Sequence, residues 1–213
     1  MLNATNWLLV KSGEERYILD LQKNGTIYMN PIFFFDNADS SRRDNIESAY
    51  IVGNPAKEKP YGLFLKENDK YQKVANLTNF LFRGYKGFIY CLHSLSLENM
   101  KEDEIFSINA KGDSLLLIDA NKFIERLDEI LTKEKLVFVR DFIQYQDFSS
   151  YVGNRSPFVK DISYQAEREY RLYYSVNDDN EKNAFILKLG SIEEFSILIK
   201  NKGSNFKLKR MTE

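Results

Sequence analysis

The chain has little of several things that would otherwise decide its chemistry. Its 213 residues hold one cysteine, Cys91, and one histidine, His93. A single cysteine excludes an intramolecular disulfide and suits a reducing compartment. One cysteine with one histidine also excludes a Cys/His zinc site within the chain. No apolar run approaches the roughly 20 residues that a membrane-spanning helix needs. The first residues show no basic stretch followed by a long apolar one, so no signal peptide is expected and the expected location is cytoplasmic, with no membrane partner. Neither a Walker-type nor a dinucleotide glycine-rich loop is present. Thirty basic residues against thirty-one acidic ones leave no charge excess, and so no bulk argument for nucleic acid or an anionic membrane.

Aromatic residues are plentiful: sixteen Phe and thirteen Tyr in a chain that is 43% hydrophobic. That supply is ample for a core and for an aromatic-lined cleft, and the length predicts a single domain over residues 1–213. The pattern predicts a strand at Asn6–Val10, a helix over Glu14–Asn24 with Tyr17, Ile18 and Leu21 on one face, and Gly25 as its terminator. Thr26–Met29 follows as a strand. The run Ile32–Phe35 is too short to assign. Strands are expected at Ser48–Val52, Tyr61–Lys66, Tyr71–Ala75 and Gly87–Leu92. Ser114–Ile118 is uniformly apolar, as a strand buried on both faces would be. Asp119 can cap a helix over Asn121–Leu131, with Phe123, Ile124, Leu127 and Ile130 as its buried stripe. Leu136–Tyr145 reads as one long strand and Glu193–Glu194 as a short helical turn. The last strands are expected at Ala184–Leu189, Phe195–Ile199 and Phe206–Leu208. The basic end, Lys200–Arg210, reads as a solvated hairpin or tail. Many strands, few helices and hairpin-like spacings predict an α+β fold around a bent, largely antiparallel sheet.

The densest chemistry lies in Phe158–Arg171, which leads into the strand Tyr170–Val176. In an extended segment alternate residues share a face, so Gln165, Glu167, Glu169 and Arg171 are expected to project together. A Gln/Glu-x-Glu pair opening a strand resembles the signature of ADP-ribosyltransferases, and the chain offers it twice, as Gln165–Glu167 and Glu167–Glu169. That resemblance implies an ADP-ribosyltransferase-like fold, NAD as cofactor and Glu169 as the catalytic carboxylate, with Glu167 or Gln165 as its partner. A fixed carboxylate can stabilise the oxocarbenium-like ribose formed when the nicotinamide bond breaks. The same residues also fit a charged strand face braced by Glu–Arg pairs.

In the arginine-class enzymes of that family an Arg and a Ser-x-Ser strand precede the Glu motif. Here Arg83, Ser94 and Ser96 occur in that order. The resemblance gives them the NAD phosphate and the nicotinamide ribose, with Arg171 nearby. Arg83 stands close ahead of Ser94, so Arg43 or Arg16 could take its place. The lone His93 reads as a satisfied strand-end side chain. A third cluster, Arg42-Arg43-Asp44-Asn-Ile-Glu47, invites a Mg²⁺-dependent nuclease centred on Asp44 and Glu47, or a solvated helical turn.

Taken in order, Gly25–Pro31 with the Phe run, Arg43-Asp44, Glu47, Gly112-Asp113, Phe123–Leu127 and Phe158-x-Lys160 with Tyr164, Glu167, Glu169, Tyr170 and Arg171 resemble a set of uncharacterised bacterial proteins associated with defence or toxin genes. The resemblance implies that Arg43, Asp44, Glu47, Lys160, Glu167, Glu169 and Arg171 lie together. It implies no reaction. The expected partners are a nucleotide or small-molecule ligand and a macromolecular acceptor. A binding or interaction module with a purely structural charged cluster is the non-enzymatic alternative.

Overall fold

The computed structural model describes residues 7–36, 49–53, 61–67, 70–77, 80–96, 105–108, 112–148, 153–154, 156–176, 183–200 and 206–209. The fold is α+β, built on an eight-stranded sheet whose pairings are all antiparallel. Its strands are β1 (Trp7–Gly13), β2 (Thr26–Pro31), β3 (Gly87–Ser96), β4 (Ser114–Asp119), β5 (Val139–Phe142), β6 (Glu169–Ser175), β7 (Phe185–Lys188) and β8 (Ser196–Lys200). Side by side they run β5-β6-β3-β1-β4-β8, while β2 pairs with the start of β3 and carries β7 on its other side.

Two helices, α1 (Glu15–Asn24) and α2 (Ala120–Glu134), close one face of this sheet. α1 buries Ile18 and Leu21, and α2 buries Ala120, Phe123, Leu127 and Leu131, at the three- and four-residue spacing of a helical stripe. They meet Leu9 of β1, Phe88, Tyr90 and Leu92 of β3, Leu116 and Ile118 of β4, and Tyr170 and Leu172 of β6. Tyr17 was expected on the buried face of α1 but is 59% exposed, stacked under the Arg16 guanidinium. Ile124 and Ile130 lie at the margin of the core, with Leu131 taking the buried place.

Both ends of these helices follow from single residues. The Asp119 carboxylate accepts from the N–H groups of Asn121 and Lys122 at 3.1 and 3.2 Å, satisfying two donors that the first turn of α2 leaves open. Gly25 ends α1 in the left-handed conformation, φ 61° and ψ 29°. β4 lies between β1 and β8, packs Leu116 and Ile118 into the helix-covered core, and is buried at every residue but Leu117, as its uniformly apolar sequence predicted.

The expected strand Leu136–Tyr145 is broken in two. β5 pairs with β6, whereas Gln144–Gln146 leaves the sheet and pairs in parallel with Val159–Asp161. The Ile143 N–H still bonds the Glu169 carbonyl at 2.9 Å, in register with β6, and the break follows it, where the Gln144 N–H turns to the Phe158 carbonyl at 2.8 Å. Ile32–Asp36 is a 3₁₀ turn, and Glu193–Phe195 is another, as Glu193–Glu194 predicted. Phe80–Arg83, not foreseen as a strand, pairs with Ala49–Gly53, and Phe206–Lys209 pairs with Ile105–Ile108. Among the described residues no helix is long and apolar enough to cross a membrane.

Candidate functional site

Strand alternation gives the sheet a second face with a different character. On β3 and β6, Leu92 lies beside Tyr170 and Tyr90 beside Leu172, all in the helix-covered core. The intervening residues point the other way. Glu169 is therefore opposite His93, Arg171 opposite Cys91, and Tyr173 opposite Ile89. Over this face lie the 3₁₀ turn bearing Ile32 and Phe35, and the segment 156–168 bearing Phe158.

The charged cluster sits where that segment meets β6. Glu169 is 5% exposed and spends one carboxylate oxygen on the Arg171 Nε–H, at 2.7 Å, and the other on Lys160 Nζ, at 2.8 Å. Arg171, only 1% exposed, also donates through Nη1 to the Pro157 carbonyl. Lys160 reaches Glu167 as well, at 2.8 Å. Burial by itself would push the Glu169 carboxyl up; Arg171 and Lys160 outweigh it and hold the group well below the usual carboxylate range. Two carboxylates face two cations across these contacts, so their formal charges cancel. Burial also pushes the Cys91 thiol up to about 12, with the Glu169 charge adding to the effect.

The expectation that Gln165, Glu167, Glu169 and Arg171 share one extended face fails in its first half. Ile162–Glu167 is a 3₁₀ turn, opened by Asp161, whose carboxylate accepts from the Ser163 N–H at 2.9 Å. Arg168 then adopts the left-handed conformation, φ 41° and ψ 50°, before β6 begins at Glu169. Asp161 is a helix-capping residue type, and it overrode the period-2 reading. Only Glu169 and Arg171 keep the alternation. Gln165 ends exposed, and Glu167 comes to the cluster from the turn, with its side chain 40% exposed.

Ser94 and Ser96 do not join Glu169. Register sets Ser94 beside Leu9 and Ser96 beside Trp7, on the opposite face of β3 from His93. The Ser94 hydroxyl donates to the Arg168 carbonyl at 2.9 Å, which pins the start of β6. Arg83 belongs to the separate sheet with Ala49–Gly53. Arg16 pairs with Glu14 on the exposed side of α1. Arg43, Asp44 and Glu47 lie outside the described residues. Among the described residues no group of three His, Cys, Asp or Glu side chains could hold a metal ion.

Three participants were not foreseen: Cys91, Tyr145, whose hydroxyl accepts the Glu169 N–H at 2.9 Å, and the Pro157 carbonyl. Cys91 was legible in principle, because a strand at Gly87–Leu92 fixes which residues alternate with Tyr90. The carbonyl had no sequence signal. His93 behaves as a satisfied strand-end residue: its Nδ1 lies 2.6 Å from the Glu167 carbonyl. A carbonyl can only accept, so Nδ1 carries the proton.

Burial, followed by the neighbouring Arg168 charge, keeps the His93 pKa below its ordinary 6.5 despite the carbonyl bond. The unfolded chain then binds more protons than the folded one between the lowered value and 6.5, so stability falls as pH drops through that window. With one histidine in the chain, melting curves from pH 7.5 to 5.5 report this group with little interference. The wild type should lose Tm toward the acid end, and His93→Gln should flatten that slope.

No protein family, curated protein or solved structure matches this chain.

Proposed function

We propose that this chain is a non-catalytic binding or interaction module in which Lys160, Glu167, Glu169 and Arg171 brace the fold. One observation carries the reading: Glu169 is 5% exposed and both its carboxylate oxygens are held by cations of the same chain. A carboxylate that stabilises a developing ribose cation must have an oxygen to present to it. Here the oxygens face inward. A ligand or partner would meet the surface above the brace, where Gln165, Arg168 and the open side of Glu167 face outward.

The transferase reading has one point in its favour: Glu167 and Gln165 are both reachable from solvent. The test is nicotinamide release from NAD by wild type, Glu169→Gln and Glu167→Gln, the last chosen because its exposed side chain can change without unfolding the protein. The module predicts the same background release from all three. Release by wild type that Glu167→Gln abolishes in a folded protein would establish the transferase instead.

A further inference from the structure

The segment 156–168 covers the second face of the sheet, and the seam beneath it differs in kind from the core on the other side. The helix-covered face is held by apolar packing. The seam toward the sheet is held mainly by polar ties: Lys160 to Glu169, the Pro157 carbonyl to Arg171, the Glu167 carbonyl to His93 and the Arg168 carbonyl to Ser94. Along its other edge the segment keeps its parallel pairing with Gln144–Gln146 and the Phe148 N–H bond to Asp161. Its apolar contribution is modest, with the Phe158 ring set edge-on to Tyr173 at 6.4 Å between centroids. Desolvation offsets most of the attraction within a buried ion pair, so such a seam opens more easily than an apolar core of similar extent.

Arg168, at the exit of the segment, sets a second condition. It is one of two described non-glycine residues with positive φ, in a conformation costly for a side-chain-bearing residue. Its carbonyl is tied twice to Ser94, by the backbone N–H and by the hydroxyl, both at 2.9 Å. Once those ties break, nothing in its own backbone preference keeps it in place. Local strain acts toward release.

We infer that residues 156–168 form a strap that opens by local unfolding while the sheet stays folded, uncovering the buried Arg171 and Tyr173 and widening access to the half-buried Cys91. Opening frees the Arg171 guanidinium from the Pro157 carbonyl beside an aromatic ring, on a face that the closed strap hides. The inference rests on the brace reading only in that Glu169 holds the strap shut.

Cys91 supplies a native probe, since it is the only thiol and packs in the same small cluster as Phe158. It is half-buried in the closed protein, so the acceleration in the seam variants, and not the wild-type rate alone, reports the opening. Its modification by a disulfide reagent is followed at pH 8 in urea below the unfolding transition. For the wild type, a slow rate nearly independent of urea is expected, the mark of a small opening. Lys160→Met should raise that rate at least about tenfold, and Ser94→Ala by about threefold. Leu127→Ala, which weakens the core away from the seam, should lower global stability but leave the plateau rate unchanged. A rate with the full urea dependence of global unfolding, no acceleration in either seam variant, or wild-type modification as fast as in the unfolded chain would overturn the strap. If Glu169→Gln lowers Tm while Cys91 reacts only through global unfolding, the brace stands and the strap falls. No loss of Tm in Glu169→Gln would remove the brace itself.

Discussion

Glu169→Gln should destabilise the fold by about 3–5 kcal/mol, the usual cost of removing one partner from a buried ion pair. At roughly 2–4 °C per kcal/mol for a chain of this size, Tm should fall by about 6–20 °C. The change is nearly isosteric, so the loss is electrostatic. Arg171 is 1% exposed and would keep its charge without the carboxylate that neutralises it, while Lys160 would lose one of the two carboxylates it pairs with. The pH dependence has a definite sign. Because Glu169 is held below its ordinary 4.5 in the folded state, its contribution is complete above that value and lost as pH falls toward the folded pKa. The gap in Tm between wild type and variant should therefore be constant from pH 5 to 7 and narrow in stronger acid.

Gly25→Ala should be of similar size, about 2–5 kcal/mol, from two independent penalties. The residue sits at φ 61°, where a side chain costs about 1–2 kcal/mol. A Cβ there would also lie 2.1 Å from the Gly190 carbonyl oxygen, and crowding that forces a packed backbone to move adds about 1–3 kcal/mol. The approach is close because the Leu189 N–H bonds the Gly25 carbonyl at 3.0 Å, tying the end of α1 to the chain just after β7. Chemical denaturation should show a lower midpoint with an unchanged slope. A midpoint within experimental error of wild type would mean that this junction yields freely.

Sequence patterning was most legible where a single physical cause acted alone. Asp119 followed by a helical stripe, Gly25 after one, and the unbroken apolar run of β4 each led to the right element, and the α+β class followed from their order. It failed where tertiary or capping interactions competed. Leu136–Tyr145 has the composition of one strand, but after Ile143 the Gln144 N–H turns to the Phe158 carbonyl and the chain changes partner to Val159–Asp161. Period-2 alternation was extended back to Gln165, although Asp161 caps a 3₁₀ turn that ends only at Glu167. The site was half legible. Glu169 and Arg171 were paired correctly, and Lys160 was expected beside them. The distribution of Ser94 and Glu169 between opposite faces depends on strand register, which no local pattern encodes.

A double-mutant cycle between Glu169 and Arg171 tests the brace most directly. Stability is measured for wild type, Glu169→Gln, Arg171→Met and the pair. If the two groups neutralise each other inside the fold, Glu169→Gln strands the Arg171 charge and Arg171→Met leaves Glu169 with Lys160 alone, and the double variant should be at least about 2 kcal/mol more stable than the sum of the single losses predicts. Strict additivity, with small losses in both single variants, would contradict the account and return Glu169 to the candidates for chemistry.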